Sequence, residues 1–311
     1  MTHGRVTVVI PTLNAGPDFD AVLTAIHERS GDEPRIVAID SGSTDGTVGR
    51  LQRAGATILT VGSEGFNHGA TRNQALEHAA GEFAVLMVQD AVPVSPGWLS
   101  ELLEPLRVDP GTAGTFARQQ PAANASRVTA HYLDGWIAAQ DSPRTVGPLT
   151  PELFAAMSPA ERHRACAFDN VCSCVRLSVW RDHPFPSTSI AEDLEWARDV
   201  LLAGHTLTYV PQCVVRHSHE RSARYELQRS YLVHQRLETL FGLTTIPTLG
   251  SLVRSIATTV PHNTRLASRE PVGRARAILR AAALGVAQPF GQYLGARAAR
   301  DGRDYLRPRR I

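Results

Sequence analysis

Three groups of residues have types and spacings that could do chemistry. The first is Thr12, Asn14 and Asp40, followed by the loop Ser41-Gly42-Ser43-Thr44-Asp45-Gly46. A Gly/Ser loop that opens a helix turns free backbone N–H groups and the positive end of the helix dipole toward an anion. A lone carboxylate at a strand end can accept from a base N–H or a ribose hydroxyl. The same loop also fits an Asx turn with a Ser or Thr helix cap.

The second group is Phe66-Asn67-His68-Gly69, Thr71-Arg72-Asn73 and, further on, Gln89-Asp90-Ala91. Arg72 falls near a helix start, where the dipole disfavours a cation, which points to a phosphate partner. A surface salt bridge is the plainer alternative. Asp90 at a buried strand end needs a partner or a metal. The third group is Ser189-x-x-Glu192-Asp193, with His217 and His219 downstream. Ser189 and Glu192 have capping-box spacing. Adjacent helical carboxylates project about 100° apart, so only one serves a cap and the other is free to act as a general base. Histidines two apart on an extended segment point the same way and can ligate a metal.

The elements that must position these groups follow from periodicity. Val6–Ile10, Ile36–Ile39, Thr57–Val61, Phe83–Val88 and Ala113–Ala117 read as strands. Amphipathic helices over 19–28, 44–54, 69–80 and 98–106 alternate with them. That alternation predicts βαβ units and a parallel sheet. Ligands of open sheets sit beyond the carboxyl ends of the strands, where Thr12, Asn14, Asp40, Gln89 and Asp90 fall. Residues 120–164 are irregular. A strand is expected at Val171–Val175, a helix from Ser189 to Ala203 and a strand at Thr206–Val210. The chain reads as helical and Arg-rich after about Arg221.

Composition narrows the chemistry. The 311 residues are 43% hydrophobic and 20% charged, as in a soluble globular protein. All 32 basic residues are Arg. Without Lys there is no P-loop and no Schiff-base chemistry. The Rossmann Gly-x-Gly-x-x-Gly is absent. From Arg254 onward, 12 Arg face Glu270, Asp301 and Asp304, a net of +9, so the rest carries −7. An acidic body with a basic tail suggests that the tail meets something anionic, or presents a solvated face. Cys166, Cys172, Cys174 and Cys213 form no Cys-x-x-Cys pair and read as reduced thiols of a cytoplasmic protein. A zinc site from Cys172, Cys174, His217 and His219 has the wrong spacing. There is neither a secretory h-region nor a stretch long enough to span a bilayer.

Together the runs VVIPTLNAG…IVAIDSGSTDGT, GFNHGATRNQAL, VLMVQDAVPVSPGWL and FDNVCSCVRLSVW…AEDLEWARDVLLAGHTLTYVPQCVVRHSH resemble the family 2 glycosyltransferases over about residues 5–235. The Phe-Asn-His-Gly, Gln-Asp-Ala and His-Ser-His variants look most like their rhamnosyltransferase branch, which builds bacterial cell-surface and cell-wall polysaccharide. The resemblance implies an α/β GT-A (Rossmann-like) fold, a mostly parallel sheet flanked by helices, with a C-terminal helical extension. It divides the chain into a nucleotide-sugar half (1–120), an acceptor and catalytic half (121–221) and an Arg-rich helical extension (222–311).

It also implies roles. Pro11, Thr12, Asn14, Asp40, Ser41 and Gly42 would hold the nucleoside, with Asp40 facing a pyrimidine. Arg72 and Gln89 would contact the nucleotide or its diphosphate. Asp90 stands where the family usually has Asp-x-Asp and would hold Mg²⁺ or Mn²⁺ with His217, and His219 as a second candidate. With one carboxylate in place of two or three, the cation would bind mainly through the diphosphate. Asp193 matches the catalytic base and Glu192 its acidic neighbour. Trp136, Tyr132 and Trp180 are candidate sugar-stacking residues, with core packing as the alternative. The expected reaction is an inverting transfer from a nucleoside-diphosphate sugar, dTDP-rhamnose favoured, to a glycan or lipid-linked glycan. The expected place is the cytoplasm, with peripheral contact at the inner face of the plasma membrane through the tail. Homo-oligomerisation is left open.

Two other classes compete. A nucleotide-sugar-binding protein with little or no transferase activity would explain the thinned metal motif, but not Asp193 and His217. A nucleic-acid binder would explain the tail but not the acidic body, so no nucleic acid is expected.

Overall fold

The computed structural model describes residues 6–30, 34–62, 67–188 and 190–306. Phe66 and Ser189 therefore lie outside the described residues. The strands are β1 (Thr7–Thr12), β2 (Arg35–Asp40), β3 (Thr57–Thr60), β4 (Phe83–Met87), β5 (Val92–Pro93), β6 (Thr112–Gln120), β7 (Arg144–Val146), β8 (Cys172–Arg176) and β9 (Thr206–Arg216). The helices of the first half are α1 (Phe19–Arg29), α2 (Thr47–Arg53), α3 (His68–Leu76) and α4 (Trp98–Val108). Those of the middle are α5 (Arg127–Asp134), α6 (Pro151–Ala156), α7 (Pro159–Ala165), α8 (Leu177–Asp182) and α9 (Glu192–Leu202). The last three are α10 (Ala223–Phe241), α11 (Leu249–Ala267) and α12 (Arg274–Asp301).

The sheet has the order β3-β2-β1-β4-β8-β6-β9-β5, with β7 also on β9. Six strands run one way: β1, β2, β3 and β4 pair parallel, and β6 pairs parallel with β9. β8 runs against β4 and β6, and β5 and β7 run against β9. Strands buried on both faces are near-continuous apolar runs, and Val8, Val9, Ile10, Ala84, Val85 and Leu86 are fully buried. One core layer joins Val9, Leu86 and Val175 to Trp196 and Phe168. The other joins Val8, Ile10 and Val85 to Phe19, Trp98 and Leu102. The strand expected at Thr206–Val210 runs on to Arg216 as β9, with an irregularity opposite Ala117/Arg118.

The carboxyl ends of the six co-directional strands form one edge. Thr12, Asp40, Asp90, Gln119 and His217 end or follow β1, β2, β4, β6 and β9. Because β8 runs the other way, its start brings Asp169 and Asn170 to that same edge.

Candidate active site

The nucleoside-side residues form a clasp between the ends of β1 and β2. The Asp40 carboxylate accepts from Thr12 Oγ1 (2.9 Å), the Gly42 and Ser43 amides (3.0 and 2.8 Å) and Ser43 Oγ (2.6 Å). Burial alone would raise its pKa, but these bonds hold it below the ordinary aspartate value. Asn14, at φ 46°, accepts the Thr44 amide at Oδ1 (2.8 Å) and gives its own amide to Ser43 Oγ (2.8 Å). Pro11 lies within β1, and Gly42 turns the loop at φ 99°. Gln89 is spent on the Leu13 backbone: Leu13 N–H reaches Oε1 at 2.8 Å, and Nε2 donates to the Leu13 carbonyl at 3.1 Å. Ser41 Oγ is buried with no partner among the described residues, so this clasp has one hydroxyl to offer a ligand.

Arg72 and Glu192 pair in the interior. Arg72 Nη1 donates to Glu192 Oε1 at 2.5 Å, with both side chains 6% exposed. The surface salt bridge considered for Arg72 is therefore a buried one. Asn170 Nδ2 reaches the same oxygen at 3.4 Å. Burial works against the Glu192 carboxylate, but the Arg72 charge, with His68 and Asn170, holds its pKa below the ordinary glutamate value. Arg72 Nε is buried without a partner among the described residues. The pairing needs α3 to lie close to the 186–192 segment, which Gly69 allows: a Cβ there would fall 1.9 Å from the Pro186 carbonyl oxygen.

The capping-box reading of Ser189 and Glu192 is overturned at its helical end. α9 starts at Glu192 behind Ala191, which sits at φ 60°, and Glu192 is held by Arg72 instead. Asp193 therefore projects apart from that pair, its Oδ1 accepting the Leu194 amide at 2.8 Å. Burial, the Glu192 charge and the Asp169 charge raise its pKa well above the ordinary aspartate value. A carboxylate raised in this way is suited to take a proton.

The metal-side residues converge. One ligand atom from each of Asp90, His217 and His219 can be chosen so that all lie within 4.8 Å of one another. His219 Nδ1 is 3.2 Å and His217 Nε2 3.6 Å from the Asp90 carboxylate. Burial lowers the His217 pKa and pushes His219 down to about 4, so both imidazoles are neutral at pH 7, as ligands must be. One carboxylate and two neutral imidazoles are a fitting donor set for a divalent cation. The four cysteines are buried, and the convergent group among the described residues contains none of them.

Two residues not singled out in the sequence complete this side. Gln119 Oε1 is 3.0 Å from His217 Nδ1, and Gln119 Nε2 donates to Asp169 Oδ2 at 2.5 Å. Because that amide must give its N–H₂ to Asp169, its carbonyl faces His217. Nδ1 then carries the proton and Nε2 keeps its lone pair on the cation side. Asp169 Oδ2 also accepts from Trp136 Nε1 (3.0 Å), and its Oδ1 accepts the Val171 amide (2.9 Å). Trp136 thus borders the site. Trp180 does not: it is 7% exposed, packs in the core and donates its indole N–H to Asn73 at 2.9 Å, so the sugar-stacking expectation fails for it.

Residues 7–149 match the family described as glycosyl transferase family 2. The chain is 29% identical over 233 residues to the O-antigen chain rhamnosyltransferase RfbN of Salmonella typhimurium, covering 73% of this chain and 70% of that protein. It is 29% identical over 233 residues to the O-antigen chain rhamnosyltransferase WbaN of Salmonella anatum, covering 72% and 70%. The structure superposes on the mannosyltransferase PcManGT from Pyrobaculum calidifontis, solved with GDP-Man and Mn²⁺, with a TM-score of 0.62 at 18% identity, over 98% of this chain and 89% of that one. It superposes on glucosyl-3-phosphoglycerate synthase from Mycobacterium tuberculosis, solved with Mn²⁺, UDP and phosphoglyceric acid, with a TM-score of 0.53 at 20% identity, over 79% and 81%. At such identities the likeness shows the fold, GT-A.

Proposed function

We propose that this glycosyltransferase, whose residues 7–149 form a family 2 domain, moves L-rhamnose from dTDP-rhamnose to a hydroxyl of a growing cell-surface polysaccharide. The names of the two Salmonella relatives support the sugar and the acceptor class. The observation that carries the reaction is the link made by Asp169. Its carboxylate accepts from Gln119, which contacts His217 of the Asp90–His217–His219 set, and its charge reaches the raised carboxyl of Asp193.

Residues 1–120 supply the donor cradle, 121–221 the acceptor side and 222–311 the helical extension. In the cradle, Pro11, Thr12, Asn14, Asp40, Ser41 and Gly42 border the nucleoside, and Gln89 fixes the Leu13 backbone beside it. Asp193 takes the proton from the acceptor hydroxyl as its oxygen attacks the anomeric carbon. The bond to the diphosphate breaks on the opposite face, and the carbon inverts. Glu192 is the fixed neighbour that raises Asp193 and is itself held by Arg72. Asp90, His217 and His219 would hold Mg²⁺ or Mn²⁺, which would supply positive charge against the departing diphosphate. Arg72 is committed to Glu192 and acts through that carboxylate rather than on the diphosphate. Trp136 borders the acceptor sugar. Work on a lipid-linked acceptor places the protein at the inner face of the plasma membrane.

The test is thermal stabilisation by dTDP, UDP, GDP and their sugars, each with and without Mn²⁺ or Mg²⁺. A ligand at 100 times its Kd adds about 2.7 kcal/mol. The expected result is a cation-dependent shift, largest for dTDP-rhamnose. No shift with any nucleotide overturns the donor site. A shift indifferent to cation removes the roles of Asp90, His217 and His219.

A further inference from the structure

α11 and α12 form a hairpin with one side docked and the other bare. On the docked side, Ala281 and Leu284 cluster with Val128 of α5, Gln288 Nε2 reaches Glu226 of α10 at 3.4 Å, and Leu252 packs with Tyr293. Eleven large apolar side chains are exposed among the described residues. Six of them are Leu249, Val253, Val272, Leu279, Val286 and Phe290. Leu279, Val286 and Phe290 recur at helical spacing, with exposed Ala283 between them, as one stripe of α12. Leu249, Val253 and exposed Ala257 make a second stripe on α11. Val260 abuts Gly285, where a Cβ would come within 2.9 Å of it, so α11 and α12 pack closely and each presents its own exposed apolar stripe. Several large apolar side chains left bare on one helical pair mark an interaction site.

Its charge says with what. Between residues 249 and 301 eight Arg face only Glu270 and Asp301, a net of 8 − 2 = +6. Arg254, Arg265, Arg274 and Arg276 are exposed. No helix among the described residues is long and apolar enough to cross a membrane. Apolar stripes flanked by cations are the pattern of helices that lie in the headgroup region of an anionic bilayer. Each Arg near such a surface strengthens binding about fivefold.

We propose that the outward face of the α11–α12 hairpin rests on an anionic lipid bilayer. The choice of partner gains from the transferase reading above, because a lipid-linked acceptor lies at that surface, but the face itself is independent of it. The hairpin is also tied to the candidate site. Arg280 of α12 forms an ion pair with Glu220, donates to the Arg221 carbonyl (3.0 Å) and reaches Ser126 Oγ at the start of α5 (3.4 Å). Glu220 directly follows His219, and α5 leads to Trp136. Resting the hairpin on a bilayer therefore holds the cation side of the site beside it.

The full chain is tested by co-sedimentation with phosphatidylcholine vesicles, with and without phosphatidylglycerol, at several salt concentrations. Binding is expected only to the phosphatidylglycerol vesicles, weakening as salt rises. Leu279→Glu together with Phe290→Glu should weaken it at least tenfold, and Arg274→Gln with Arg276→Gln about 25-fold at low salt. Both side-chain pairs are exposed, so the fold tolerates these changes, and thermal stabilisation by nucleotide should be unchanged. Absence of wild-type binding, or variants that bind like wild type, overturns the proposal. So does a wild-type dimer that Leu279→Glu dissociates, because the face then belongs to a second copy. Loss of nucleotide binding with vesicle binding intact counts against the donor site alone.

Discussion

The side-chain carbonyl of Gln119 lies 3.0 Å from His217 Nδ1, and its amide nitrogen is committed to Asp169. One carboxylate thus fixes the orientation of an amide, and the amide fixes the tautomer of a metal-side histidine. Partners of this kind are worth about 10–100-fold in cation affinity. Asp169→Ala should weaken Mn²⁺ binding in titrations by that factor while leaving cation-free nucleotide binding intact. Unchanged Mn²⁺ affinity would separate Asp169 from the cation site.

Asp193→Asn should lower turnover by about 10²–10⁴ while donor binding persists. The same substitution should raise the Tm at neutral pH. The folded pKa of Asp193 is raised, so its ionised form opposes folding above the unfolded value, and a neutral amide removes that penalty. An active variant would remove Asp193 from the role of base.

Glu192→Gln leaves the Arg72 charge buried without its carboxylate. Breaking such a pair costs about 3–5 kcal/mol, measurable by urea unfolding. In whatever activity survives, the acid limb of the pH–rate profile should move to lower pH, because the like charge that raises Asp193 is gone. An acid limb that stays in place would uncouple the two carboxylates.

Asp40→Asn tests the clasp. The Asp40 pKa is lowered in the fold, so its contribution to stability is present above the unfolded value and is lost as pH falls through the folded one. The stability gap between wild type and variant should be wide at pH 7 and close below about pH 4. A gap independent of pH would mean that the carboxylate charge is not what holds the loop.

Gly69→Ala should be strongly destabilising although it adds one methyl group, because that carbon meets the Pro186 carbonyl rather than open space. It should lower both Tm and turnover, since the same approach joins Arg72 to Glu192. A variant of normal Tm would show that the 186–192 segment can move aside.

The sequence by itself determined the strand ends. Buried strands are continuous apolar runs, so polar residues that stop them stand out, and Thr12, Asp40 and Asp90 were found that way. The helical extension was legible from its periodicity and its arginines. Asp169 and Gln119 were not. β8 enters the sheet antiparallel between β4 and β6, and nothing in a run of buried residues records direction. Only that reversal brings the residues before β8 to the same edge as the ends of the other strands. The partnership of Arg72 and Glu192 was equally hidden, because 120 residues separate them and local spacing favoured a helix cap for the glutamate. Trp180 followed the same rule in reverse. An aromatic residue reads alike in a core and in a sugar site, and only packing against Asn73 decided which it was. Local chemistry is written in neighbouring residues, whereas strand direction and long-range ion pairs are settled when the sheet closes.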